Sequence, residues 1–123
     1  MIVWILCALL AVQVVFQTKL AAGAPLGHIA YGGSHKGTLP KSYRIMSAVA
    51  VLVYLFFISV VLAYSSVLHT YPEAFSKAVL WAMVAFFGLG TLANLASRSK
   101  PERWWALYTI VTLASVLFVL DVL

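Results

Sequence analysis

An all-α fold, a transmembrane four-helix up-and-down bundle, follows from three features of this 123-residue sequence. Hydrophobic residues make up 64% of it and charged residues only 9%. The apolar residues gather into four runs, each near the roughly 20 residues a helix needs to cross about 30 Å of hydrocarbon. All four prolines, Pro25, Pro40, Pro72 and Pro101, fall between the runs, where a missing N–H costs no helix bond. A soluble domain carries about 25% charged residues, and so short a chain cannot hide this much apolar surface within itself. The surplus must face lipid. One integral membrane domain over 1–123 is expected.

The first span is expected at about 2–20. Trp4 marks its outer end, and Lys19 lies at its inner end with a stem long enough to snorkel. It lacks a basic n-region, and Gln13, Gln17 and Lys19 interrupt its later half. It therefore reads as a retained helix, although the apolar stretch before Gln13 is by itself compatible with a signal peptide. The second span is expected at about 45–67 and the third at about 75–96. The fourth, at about 104–122, follows Ser99-Lys100-Pro101-Glu102, a helix start with Ser99 as cap, proline early and Glu102 in the first turn. Short second and third connections make consecutive helices antiparallel neighbours. The longer first connection leaves the neighbour of helix 1 open.

Basic residues orient the bundle. Lys19, Lys36, Lys41 and Arg44 surround the first connection, and Arg98, Lys100 and Arg103 surround the third. Lys77 alone belongs to the other side. Seven of the eight Lys and Arg residues thus share one side, which the positive-inside rule places in the cytoplasm, with both termini outside it. The formal charge of +5 reads as topology and contact with anionic headgroups rather than as a nucleic-acid surface. Lys41, Arg44, Arg98, Lys100 and Arg103 are the expected headgroup contacts.

Polar residues inside spans need partners, because lipid offers none. Gln13 and Gln17 are four apart and share a face of helix 1. They serve either as links between helices or as the lining of a ligand site. Asn94 closes the same choice on helix 3, where Gly90 permits either close approach by another backbone or a polar pocket toward the basic side. Thr109, Thr112 and Ser115 can bond carbonyls one turn back. The Tyr54 hydroxyl is deep enough to need a partner, with Gln13 or Gln17 as candidates.

No Asp, Glu, Lys, Arg or His lies near the middle of a span. This argues against a proton-coupled carrier and against intramembrane haem, and no cofactor is expected. The single cysteine, Cys7, excludes an intramolecular disulfide and a thiol pair for redox work.

Residues 23–44 are the richest connection. Five of the seven glycines are here, with His28 and His35 seven residues apart. Gly32-Gly33-Ser34-His35-Lys36-Gly37 is suited to a nest of N–H groups for a phosphate or carboxylate, with Lys36 beside it. It is not a P-loop, since the GxxxxGK[ST] spacing is absent. No metal site is expected from two histidines without an accompanying carboxylate.

Two stretches, Ala-Gly-Ala-Pro-Leu-Gly-His-Ile-Ala-Tyr-Gly-Gly-Ser-His-Lys-Gly-Thr-Leu-Pro at 22–40 and Asn-Leu-Ala-Ser-Arg-Ser-Lys-Pro-Glu-Arg at 94–103, resemble an uncharacterised bacterial family of small four-span inner-membrane proteins. The resemblance covers nearly the whole chain. It implies a multi-pass protein of the bacterial inner (plasma) membrane with periplasmic termini, and carries no activity. Small multidrug resistance transporters fit less well, because helix 1 lacks their glutamate.

The leading functional expectation is non-enzymatic binding or passage of a small molecule or lipid. Gln13, Gln17, Asn94, His28, His35 and Lys36 are the candidate ligand contacts. Membrane lipids, a second copy of the chain or another membrane protein are the expected partners. The alternatives are a structural or regulatory subunit of a larger membrane complex, and a lipid-modifying enzyme using His28 or His35.

Overall fold

The computed structural model describes residues 1–33 and 35–123. Four helices dominate it: α1 (Ile2–Ala21), α2 (Lys41–Tyr64), α3 (Glu73–Ala96) and α4 (Lys100–Val119). Single 3₁₀ turns at Gly27–Ile29 and Tyr31–Gly33 punctuate the first connection. All four helices are long and apolar enough to cross a membrane. They form an all-α membrane-spanning bundle, with no strand among the described residues.

The helices start and stop where local chemistry dictates. Helix α2 begins directly after Pro40 and α3 directly after Pro72, each proline lying just outside the first turn. The Ser99 Oγ accepts the Glu102 N–H at 3.3 Å and caps α4, with Pro101 in the first turn. Both α2 and α4 begin earlier than the apolar runs alone predict. The polar turns Lys41-Ser-Tyr-Arg and Lys100-Pro-Glu-Arg remain helical beyond the hydrocarbon, where headgroups and water accept charged side chains.

Helix α1 packs closely on α2, and α3 on α4. The two hairpins meet more loosely, through α2 with α3 and α1 with α4. Helix 1 thus lies between α2 and α4, the placement that sequence left open. Polar ties reinforce the seams. Thr91 Oγ1 donates to Thr109 Oγ1 at 2.8 Å between α3 and α4, and the Tyr108 hydroxyl donates to the Leu9 carbonyl between α4 and α1. Thr112 and Ser115 return their hydroxyls to carbonyls one turn back, at 2.8 Å each, as their spacing suggested.

The main core fills one half. Leu6, Leu10, Val60, Val61, Leu80, Met83 and Val116 are fully buried together toward the end away from the basic residues. At mid-depth Tyr54, Phe57, Phe86 and Phe87 form an aromatic layer with centroid separations of 5.2 to 6.4 Å. Beyond it, toward the basic end, the helices leave a hollow that is open along the exposed α3 residues Phe86, Leu89 and Ala93. Outward faces stay apolar: Leu52 is 67% and Leu89 68% exposed. Such faces call for lipid or the apolar face of another membrane protein.

Candidate functional site

The first connection is what closes the basic end. It packs against the basic end of the helices. Ala30 and Leu39 are buried with Leu20, and Phe16, Leu26, Tyr31 and Tyr43 pack around them. Irregular backbone at this depth needs its polar groups satisfied by protein. The Gly27 N–H donates to the Gly37 carbonyl at 2.8 Å, and Ser99 Oγ donates to the His28 carbonyl at 2.6 Å. The Tyr31 and Ser47 hydroxyls share a hydrogen bond at 2.9 Å.

The carboxylate of Glu102 receives the Gly32 N–H on both oxygens, at 3.1 and 2.9 Å. In a capping box that carboxylate would turn back to the Ser99 N–H. Here Ser97 Oγ accepts the Ser99 N–H at 3.1 Å, which releases Glu102 to hold the first connection. The glycine-rich nest anticipated for an external anion therefore meets a carboxylate of its own chain at Gly32. Ser34 of that nest lies outside the described residues.

Two glycines make this closure possible. A Cβ on Gly27 would come within 2.4 Å of the His35 carbonyl oxygen. One on Gly33, whose φ is +71°, would come within 2.5 Å of the Ser99 Cβ.

Between this cover and the aromatic layer lies a chamber of about 410 Å³. Gln13, Phe16 and Gln17 of α1 line it, with Tyr54 of α2. Phe86, Phe87, Leu89, Gly90, Ala93 and Asn94 come from α3, and Glu102, Trp105 and Thr109 from α4. Ile29, Ala30 and Tyr31 cover the basic end. Most of its wall is apolar, with a few converging polar groups, the usual make-up of a small-molecule site.

The polar groups are incompletely used by the protein. Gln17 Nε2 donates to Gln13 Oε1 at 3.3 Å, so the two amides bond each other within one helix. Gln17 Oε1 is buried without a partner. Among the described residues neither the Asn94 amide nor the Tyr54 hydroxyl makes a hydrogen bond, although Tyr54 is only 7% exposed. The pairing expected between Tyr54 and a helix 1 glutamine is therefore not made. Gly90 does not bring two backbones together either: a Cβ there would meet only the Thr109 methyl, at 4.0 Å. Its missing side chain leaves room in the chamber instead.

The remaining candidates lie elsewhere. His28 is exposed and Lys36 is exposed, while His35 stacks on Tyr43 at a centroid distance of 4.9 Å. None of the three lines the chamber. Arg44 Nε donates to the Ala21 carbonyl at 3.1 Å and Arg103 Nη1 to the Ser97 carbonyl at 3.0 Å, each tying off a helix C-terminus. Lys41, Arg98 and Lys100 are exposed at the same end. No cluster of three or more His, Cys, Asp or Glu suited to a metal occurs among the described residues.

Sequence reasoning missed Phe16, Trp105 and Tyr31 as lining residues. Their only signal is aromatic character near the basic interface, which an anchoring role explains equally well. No protein-family model, no curated protein and no solved structure matches this chain, so the chamber's own chemistry carries the functional reading.

Proposed function

We propose that this small multi-span membrane protein binds a small molecule or lipid, or gives it passage, in the chamber at the basic end, without catalysing a reaction. One observation carries the reading. Gln13, Gln17 and Asn94 converge on a single chamber while Gln17 Oε1 stays buried and unpartnered. Buried polar groups are paired almost without exception, and lipid provides no pairing. Glutamines that only linked helices would bond across a helix interface. These bond each other within one helix, and Gln17 Oε1 makes no bond at all.

In this reading the basic end faces the cytoplasm and the termini lie on the periplasmic side of a bacterial inner membrane. The charge asymmetry and the resemblance of residues 22–40 and 94–103 support that setting. Lys36, Lys41, Arg98 and Lys100 meet anionic headgroups at the basic end. The placement of His28 and His35 outside the chamber favours binding over catalysis.

Native mass spectrometry of protein extracted gently from its own membrane tests the proposal. The wild type is expected to carry a defined non-protein mass. The double variant Gln17→Leu, Asn94→Leu is expected to lose it and keep its fold, because neither side chain bonds another helix. Equal retention of that mass by the variant, or a wild type that carries none, overturns the reading.

A further inference from the structure

A second hollow adjoins the chamber. It is a groove of about 320 Å³ along the outward face of α2, lined by Ile45, Met46, Val49, Ala50 and Val53. Tyr54 and Phe86 line both it and the chamber. The two hollows are thus separated by a wall of two rings, edge to face at 6.0 Å. The wall stands at the α2–α3 seam, one of the two looser seams of the bundle.

The geometry points to a neutral, single-chain amphiphile that reaches the chamber sideways from the lipid. Its hydrogen-bonding head would lie among the amides, and its hydrocarbon chain would pass Tyr54 and Phe86 into the groove. This rests on the reading of the chamber as a binding site.

The chemistry of the two hollows differs in the sense such a molecule requires. The groove offers almost no polar surface. The chamber offers amides that both donate and accept, from Gln13, Gln17 and Asn94. No Lys, Arg or His lines it, and its one acidic side chain is Glu102. An anionic head would lose its hydration beside a carboxylate with no cation to meet it. A hydroxyl- or amide-bearing neutral head avoids that cost.

Depth fits as well. The groove residues follow the first residue of α2, Lys41, by four to twelve positions, which is about 6–18 Å of helix rise. That covers most of the half-bilayer nearest the basic end. A chain lying there runs alongside the lipids of that leaflet. Ile45, Met46, Val49, Ala50 and Val53 recur at helical spacing, so the strip is one helix face wide. The wall adds a polar point of its own: Tyr54 is more than nine-tenths buried, lines both hollows, and keeps its hydroxyl unbonded among the described residues. Phe86, 45% exposed, is the side of the wall able to yield to lipid.

The full chain reconstituted in phosphatidylcholine vesicles, with a monoacylglycerol bearing a mid-chain diazirine, tests this. Labelled positions are read by peptide mass spectrometry. The expected label falls on residues 45–53 and on Phe86. Ala50→Trp, which fills the groove, and Gly90→Leu, which fills the chamber, should each cut specific labelling about tenfold, comparable to losing two buried methylenes. The fatty acid of the same chain should label about tenfold less than the monoacylglycerol. Val49→Trp replaces Ala50→Trp if the latter does not fold.

Labelling that falls with Gly90→Leu but ignores Ala50→Trp overturns the side route and leaves the chamber reading standing. Labelling that falls with Ala50→Trp but ignores Gly90→Leu identifies ordinary lipid covering the groove and overturns the amphiphile. Labelling that ignores both variants overturns it too, while the bound mass lost in Gln17→Leu, Asn94→Leu decides the chamber reading separately. Equal labelling by the fatty acid overturns the neutral head.

Discussion

The Gly32 N–H and the Glu102 carboxylate, 70 residues apart in sequence, meet at 3.1 and 2.9 Å and hold the first connection against the start of α4. Glu102 is buried, so this charge-assisted contact forms with little competition from water. Glu102→Ala should cost about 2 kcal/mol of stability, the usual range for a hydrogen bond to a charged group. Glu102→Gln keeps an acceptor and should cost about half as much. Unfolding by SDS titration in bicelles measures both, and protease sensitivity within residues 27–39 should rise in the same order.

Glycines in the connection and glycines in α3 should respond oppositely. Gly33→Ala places a Cβ against Ser99 in a left-handed backbone conformation and should cost at least about 2 kcal/mol. Gly27→Ala should behave similarly, since its Cβ meets backbone. Gly88→Ala meets nothing within 4 Å and should be tolerated, or stabilise by up to about 1 kcal/mol through helix propensity. Melting curves of the three variants decide the order.

Both charged connections lie at one end of the bundle. Single cysteines from Lys36→Cys and Lys100→Cys, each in a Cys7→Ser background, should be labelled by a membrane-impermeant thiol reagent only after cells are opened. A cysteine replacing His69, in the second connection, should label in intact cells. Labels at 36 and 100 on opposite faces would contradict the topology.

Ser76 is fully buried in α3 and its Oγ finds no partner. Burying an unpaired hydroxyl is unfavourable, so Ser76→Ala should stabilise the protein by about 1 kcal/mol. A thiol-reactive dye following exposure of Cys7 on heating should report a higher melting temperature. A lower one would mean that the hydroxyl is bonded.

The spans were legible because length and apolarity alone decide what crosses a bilayer. The four prolines marked the gaps between them. Gln13, Gln17 and Asn94 stood out for the same reason, as polar groups where lipid gives no partner. The role of Glu102 was not legible. Locally it completes a helix start, and the contact that redirects it comes from Gly32, far away in sequence. Gly90 was ambiguous in principle, since a glycine in a helix serves either close packing or empty space, and only the position of Thr109 separates the two. The side groove was hidden too. Ile45, Met46 and Val49 look like any lipid-facing residues until Phe86 arrives beside Tyr54.

The central claim is that the chamber is occupied by a ligand in the membrane. A crystal structure of the wild-type chain grown from phospholipid bicelles tests it most directly. The account predicts non-protein density in the chamber, within hydrogen-bonding distance of Gln17 Oε1 and the Asn94 amide. A chamber closed by its own side chains, with those amides bonded across helices instead, would contradict it.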